Sequence, residues 1–185
     1  QNVWITNDLS PNVYFDYDPA FIKDDAGILH LVWARKQDVG GTWQIYYSRS
    51  TNNGDSWTMP IPITFSPKGA WKPDIAFKGE TLYVAWVDYR DGNSEIYLKR
   101  STDRGLSWLD DERITTHISF STNPKIEIYQ DKLLIAYQDY QSGNWDIYFK
   151  KISTGLQVPQ NRWVKLPVEI PLEPDGKRVK SGGFI

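Results

Sequence analysis

There is no cysteine anywhere in the 185 residues. That single absence excludes a disulfide scaffold, a thiolate zinc centre and a cysteine nucleophile. Histidine is nearly as scarce, with two residues, His30 and His117, far apart in the chain. No metal site or histidine-based triad is expected from them, and no cofactor. No stretch approaches eighteen apolar residues, so membrane insertion by a helix is not expected. A net charge of -2 offers no field for gathering polyanions, which sets nucleic acid aside as a partner. There is no Asn-x-Ser/Thr sequon. The chain opens on Gln1-Asn2 and not on Met with a charged leader, which reads as a processed or excised chain.

What the sequence does have is rings and turns. Nine Trp, 11 Tyr and 7 Phe make 15% of the residues, beside 13 Gly and 11 Pro. That mixture favours strands and turns over helices. It is also periodic. Ile45-Tyr46-Tyr47-Ser48-Arg49-Ser50 returns as Ile96-Tyr97-Leu98-Lys99-Arg100-Ser101 and again as Ile147-Tyr148-Phe149-Lys150-Lys151, each step being 51 residues. The same step links Gly41, Gly92 and Gly143, Trp57 and Trp108, and Pro73 and Pro124.

Alternation and turn residues divide each unit into four short strands. The first unit predicts strands over 19–22, 28–34, 44–49 and 57–64, with a hairpin between its second and third strands two residues longer than in the next unit. The second predicts 73–77, 81–87, 95–100 and 108–115, and the third 124–128, 133–138, 146–151 and 163–170. Four antiparallel strands repeating at about 50 residues is the pattern of β-propeller blades. The expected fold is therefore all-β, with three complete blades and no helix longer than a turn or two. The boundaries read as one propeller segment over 1–185: an outer strand of a preceding blade at 1–10, blades at 11–66, 67–117 and 118–171, and a tail at 172–185. Trp4 matches Trp57, Trp108 and Trp163 at the start of a fourth strand, which is why 1–10 is read so.

The turn after the third strand carries a family resemblance. Ser101-Thr102-Asp103-Arg104-Gly105-Leu106-Ser107-Trp108 fits the Asp-box pattern S-x-D-x-G-x-x-W. Ser50-Thr51-Asn52-Asn53-Gly54-Asp55-Ser56-Trp57 fits it with Asn52 for the Asp, and the third copy has decayed to Ile152-Ser153-Thr154-Gly155. The acidic or amide side chain can accept backbone N–H groups of its own turn, Gly takes the left-handed position, and Trp plugs the blade below. The chain thus resembles the sialidase-like, or bacterial neuraminidase repeat, β-propellers over nearly all its length. The resemblance implies that Ser50, Asn52, Gly54, Trp57, Ser101, Asp103, Gly105 and Trp108 are structural staples on the rim away from the ligand.

It does not carry over sialidase chemistry. Where the sialidase pattern has Arg-Ile-Pro, this chain reads Tyr17-Asp18-Pro19, so the arginine that would grip a substrate carboxylate is missing. Arg35 could stand for a hairpin arginine, but Gly41-Thr42 occupies the place of an acidic catalyst. Asp16, Asp18, Asp88, Asp91 and Asp139 could supply a carboxylate pair, although Asp88 and Asp139 recur at one blade position and read as turn caps. His30 matches Tyr83 and Leu134 and reads as a core residue, while His117 has no partner in reach by sequence.

In such blades the loop entering the first strand and the hairpin between strands two and three share one face, with the Asp-box turns on the other. The candidate ligand face holds Tyr17, Asp18, Trp71, Lys72 and Asn123 near the axis, ringed by Arg35, Tyr89, Arg90 and Tyr140. Trp43 and Trp145 also fall there and read as packing between blades. Aromatic planes beside polar groups suit sugar rings or protein hot spots. The expected function is a non-catalytic extracellular or cell-surface module binding glycan or protein. The alternatives are a fragment of a glycoside hydrolase and a structural section of a surface layer or filament. Three blades cannot close a ring, so either a second copy or the remainder of a longer chain is expected to complete the propeller.

Overall fold

The computed structural model describes residues 14–36, 40–154 and 164–165, and among these every regular element is a strand. Blade 1 contains β1 (Phe15–Lys23), β2 (Leu29–Lys36), β3 (Gln44–Ser50) and β4 (Ile61–Pro62). Blade 2 contains β5 (Ala70–Lys78), β6 (Thr81–Asp88), β7 (Glu95–Ser101) and β8 (Glu112–Arg113). Blade 3 contains β9 (Ser121–Tyr129), β10 (Lys132–Asp139), β11 (Asp146–Ser153) and β12 (Val164–Lys165). Each blade is a four-stranded antiparallel sheet in sequence order, and the first strands pack side by side, β1 against β5 and β5 against β9. The fold is the all-β propeller arrangement expected from the repeat. The proposed outer strand at 1–10, most of 163–170 and the tail at 172–185 lie outside the described residues.

Two boundary expectations were off, for identifiable reasons. The first strands begin before their prolines, because each crosses a β-bulge there. Register shifts fall between Tyr17 and Ala20 in β1, between Trp71 and Asp74 in β5, and opposite Ala136–Gln138 in β9. Proline has no N–H to give a ladder, so the bulge lets the innermost strand continue past it. The outer strands of blades 1 and 2 are shorter than expected, two residues in place of eight. Side chains replace part of their ladder: Ile45 N–H donates to Thr64 Oγ1 at 2.9 Å and Ile96 N–H to Thr115 Oγ1 at 2.8 Å.

The core lies between blades. Val32, Ala34, Ile45 and Tyr47 on the front of blade 1 meet Ile75, Val84, Trp86 and Tyr97 on the back of blade 2. Tyr83, Ala85, Ile96 and Leu98 on the front of blade 2 meet Ile126, Ile135, Tyr137 and Tyr148 on the back of blade 3. Polar ties recur at the same 51-residue step. Lys99 Nζ donates to Ile63 O at 2.6 Å and Lys150 Nζ to Ile114 O at 2.8 Å, each reaching back one blade. His30 is fully buried, with Nδ1 2.8 Å from Tyr47 Oη and Nε2 3.4 Å from Asp24 Oδ2. It is the core residue its position implied. Burial pushes its pKa below the ordinary value, against the pull of Asp24.

The two S-x-(D/N)-x-G-x-x-W turns share one bonding scheme. Ser101 Oγ donates to Asp103 Oδ1 at 2.7 Å and accepts Gly105 N–H at 2.8 Å, while Ser107 N–H donates to Asp103 Oδ1 at 2.8 Å. In blade 1, Ser50 Oγ donates to Asn52 Oδ1 at 2.9 Å and accepts Gly54 N–H at 2.9 Å. Gly54 and Gly105 have φ of 93° and 82°, the left-handed region that glycine enters without penalty. Trp108 packs edge-on against Tyr47 of the preceding blade, with centroids 5.0 Å apart. Hydrogen bonds from Ser107 pull the Asp103 carboxyl down to about pKa 2, below the usual carboxylate range.

Two predictions follow from this turn. A Cβ on Gly105 would sit 1.9 Å from Tyr47 Oη, whereas one on Gly143 meets nothing within 4 Å. Gly105→Ala is expected to cost about 3 kcal/mol by overpacking and backbone strain, and Gly143→Ala about 1 kcal/mol by strain alone, in urea titrations. The second concerns pH. Because folding depresses the Asp103 pKa, its contribution is present above pH 4 and is lost as pH falls towards about 2. Asp103→Ala should lose about 1–2 kcal/mol at neutral pH, and its urea midpoint should converge on the parent's in acid.

Candidate functional site

Where the first strands converge, each bulge presents one residue to the axis just before its proline: Asp18, Lys72 and Asn123, with φ of 53°, 51° and 52°. Asp and Asn tolerate this left-handed conformation; lysine at Lys72 is held there by its surroundings. These three residues line an open cleft of about 480 Å³, with Lys125, Gln138 and Ile147 along its blade 3 wall. Lys72 Nζ donates to Asn123 Oδ1 at 2.6 Å, and Asn123 Nδ2 donates to Gln138 Oε1 at 2.5 Å. Asp18 is exposed and is the one carboxylate among the described residues of the cleft wall.

Beside the cleft runs a line of rings. Tyr17 is 56% exposed and meets Trp43 edge-on at 5.3 Å, and Trp43 lies 4.1 Å from Trp71, centroid to centroid. Trp43 and Trp71 are half-buried against the core, so they support Tyr17 more than they face solvent. Tyr89 and Tyr140 sit exposed just after β6 and β10, and Tyr140 packs on exposed Trp145 at 5.3 Å. The structure thus brings Asp18, Lys72 and Asn123 together, sets Tyr17 and Trp71 next to them, and leaves Tyr89 and Tyr140 on the hairpin tips.

The two arginines are engaged elsewhere. Arg35 is buried and forms a bidentate pair with Asp16, Nε–Oδ1 and Nη2–Oδ2 both 2.8 Å, and Trp33 Nε1 donates to the same carboxylate at 3.0 Å. Arg90 grips Asp88 through Nε at 3.0 Å and Nη2 at 2.7 Å, and reaches Asp111 at 2.8 Å. Asp88, fully buried, also accepts Trp86 Nε1, Ser66 Oγ and Arg90 N–H. Burial raises its pKa, but these donors outweigh that and hold it below the ordinary carboxylate value. Asp139 accepts Gln141 N–H at 2.9 Å and Ser121 Oγ at 2.6 Å. Asp88 and Asp139 are turn caps, as their shared blade position implied, and Asp91 is tied to Tyr97 Oη at 2.6 Å. His117 does have a local partner, Ser119, which donates its N–H to Nδ1 at 3.2 Å.

Sequence reasoning missed Gln138, Lys125 and Ile147 as cleft residues. The signal was available in the 51-residue step between Pro73 and Pro124, which marks a bulge and not a strand start. Among the described residues no group of three or more His, Asp or Glu side chains is arranged to hold a metal.

The fold is that of a sialidase-like β-propeller. Three solved structures illustrate the likeness. A sialidase, Hz136, from Hadza microbes matches 75% of this chain and 35% of its own at 18% identity, with a TM-score of 0.59. The GH93 α-L-arabinofuranosidase of Fusarium graminearum matches 84% of this chain and 49% of its own at 16% identity and TM-score 0.62. The arabinanase Arb43A of Bacillus subtilis matches 80% and 55% at 17% identity and TM-score 0.53. This chain therefore spans between about a third and just over half of the length of these structures. No protein-family profile matches it, and no curated protein does.

Asp88→Ala would take the acceptor from buried Trp86 Nε1 and leave Arg90 with Asp111 in place of two carboxylates. A loss of about 3 kcal/mol is expected in urea unfolding, from uncompensated buried partners.

Proposed function

We propose that this chain is a carbohydrate-recognition module that acts outside the cell or on its surface, and that it holds a sugar at the axial cleft. The observation that carries this reading is the cleft itself: Asp18, Lys72 and Asn123 converge from three blades beside the exposed ring of Tyr17. A sugar ring has an apolar face that stacks on an aromatic plane and hydroxyls that need donors and acceptors at the edge. Tyr17 supplies the plane, Lys72 the donor, and Asp18 with Asn123 the acceptors. The left-handed backbone at all three positions supports the reading further, since strain of this kind is retained where geometry serves a site. Hydrolysis asks for two carboxylates flanking the scissile bond. The other carboxylates considered from sequence, Asp16, Asp88, Asp91 and Asp139, are bonded within their blades.

A second reading is favoured by the fold neighbours, among them a family 117 glycoside hydrolase and a GH93 α-L-arabinofuranosidase. In it Asp18 is half of a catalytic pair whose other member lies on blades outside this chain.

A glycan array followed by calorimetry on the best ligand tests both. Tyr17→Ala and Lys72→Gln are each expected to weaken binding roughly tenfold, about 1.4 kcal/mol, with melting temperatures unchanged. Asp103→Ala is expected to leave affinity untouched. Absence of binding to every glycan would refute the recognition reading. Turnover of chromogenic glycosides that disappears in Asp18→Asn would replace it with the hydrolase reading.

A further inference from the structure

The polar groups of the axial cleft are sorted by hydrogen-bonding role. Lys72 Nζ donates to Asn123 Oδ1, and Asn123 Nδ2 donates to Gln138 Oε1. This relay runs from β5 through β9 to β10 and leaves Asn123 Oδ1 a single lone pair. A lysine ammonium has three donors, and a glutamine amide has two once its oxygen is engaged. Among the described residues nothing else accepts from Lys72 Nζ or from the Gln138 NH2, so two N–H groups on each are left for the cleft. Lys125, on the same cleft, is exposed, and its ion-pair partner Asp74, 3.5 Å away, also accepts the Ile126 N–H. The acceptor-only group, Asp18, comes from a different blade, on β1.

A set of N–H donors with little acceptor capacity among them suits a ligand group that only accepts. A sugar hydroxyl both donates and accepts, so it does not need this arrangement. A carboxylate, a sulfate and a phosphate only accept, and the kind of donor chooses among them. A planar carboxylate is best gripped by the bidentate fork of an arginine. The cleft has no arginine among its described residues, and Arg35 and Arg90 hold Asp16 and Asp88 elsewhere. Lysine is a compact point charge, and here two lysines and an amide come from three strands, β5, β9 and β10. Donors arriving from separate strands suit the three terminal oxygens of a tetrahedral ester. Lys72 also holds φ of 51°, a conformation that Asp and Asn at the equivalent positions tolerate better than lysine does. Retaining a cation there at that cost points to a ligand of opposite charge.

We propose that the cleft recognises a sugar carrying a tetrahedral anionic ester, sulfate or phosphate. The ester oxygens accept from Lys72, Gln138 and Lys125, and a sugar hydroxyl donates to Asp18. The inference rests on the carbohydrate reading of the cleft and adds the charge of the ligand and its orientation. Gln138 is then a specificity-determining residue, because its engaged oxygen leaves only the NH2 end to meet the ester.

The test is a glycan array in which each backbone is printed in matched neutral, uronate, sulfate-ester and phosphate-ester forms, followed by calorimetry on the backbone bound best. One of the two esters is expected to bind roughly tenfold tighter than the neutral and uronate forms, the worth of one charged hydrogen bond. The array tells which ester it is. That advantage should shrink as NaCl is added. Lys72→Gln and Gln138→Glu are each expected to erase most of the ratio between ester and neutral forms. Gln138→Glu keeps an acceptor for Asn123 Nδ2 while setting a carboxylate against the ester, and Lys72→Gln, at an exposed position, guards against a folding defect. Tyr17→Ala should weaken both forms and keep the ratio. A uronate preferred to both esters, ester and neutral forms bound alike, or a ratio that survives both substitutions would overturn the proposal and leave the carbohydrate reading standing. Binding to no form of any backbone would overturn both.

Discussion

A four-stranded blade has two apolar faces and almost no interior of its own, so the two hydrophobic cores of this chain form where one sheet covers the next. The rest of the structure depends on that pairing. Trp86, Val84 and Leu82 on the back of blade 2 are fully buried only because Val32, Ala34 and Ile45 lie against them. Burying one such large side chain is worth about 1.5–3 kcal/mol. Face-to-face packing alone would permit sliding, since apolar contact is non-directional. The polar ties fix the register. Lys99 and Lys150 each reach back to a carbonyl of the preceding blade's outer segment, and Ile126 N–H donates across to Asp74 Oδ2 at 2.8 Å. Close approach fixes it further, because Tyr47 Oη occupies the space where any side chain at Gly105 would begin.

This arrangement separates what holds the blades from what faces a ligand. The Ser–Asp and Ser–Asn turns spend their side chains on their own backbone. Arg104, between Asp103 and Gly105, reaches over to Asp24 and Asp25 of the blade before it, with 2.9 Å to Asp25. On the opposite face, Asp16 with Arg35 and Asp88 with Arg90 solve one problem in two ways. In blade 2 the carboxylate stands at the end of the second strand and the arginine follows two residues later. In blade 1 the arginine takes that strand position and the carboxylate comes from the neighbouring strand, Asp16 opposing Arg35. Both pairs accept an indole N–H, from Trp33 or Trp86. Charge, ring and strand recur as a cluster in blades 1 and 2 while the positions exchange, and that is why motif reading alone placed the arginines at the ligand.

The repeat made the blades legible because it is a statement about spacing, and spacing survives large changes of residue. Ile45, Ile96 and Ile147 marked the third strands, and Asp88 and Asp139 marked the hairpin caps, with no knowledge of contacts. What spacing does not carry is the direction of a side chain. Arg35 belongs to the strand face that turns inward, and only the register with Asp16 reveals it. Nor do propensities reveal a bulge: Pro19, Pro73 and Pro124 break strands by rule, yet each sits inside one. The cleft residues Gln138 and Lys125 flank the same irregularity, Lys125 directly after Pro124 and Gln138 on β10 at the register shift.

The axial bulge also explains why recognition would fall where it does. Among the described residues, six other than glycine adopt positive φ, and three of them are the pre-proline positions Asp18, Lys72 and Asn123. A residue before proline is already pushed out of the right-handed helical region, so the left-handed alternative bends the strand sharply and points the side chain off the sheet towards the axis. The cost falls on the innermost strands, which are also the best buttressed, β5 being packed between β1 and β9. The other three, Asn53, Arg104 and Gln130, lie in turns. The strain between packed strands presents an acid, a base and an amide from three blades at one opening. Each bulge contributes a single residue, so the chemistry at the centre of the cleft can change by substitution at one position per repeat.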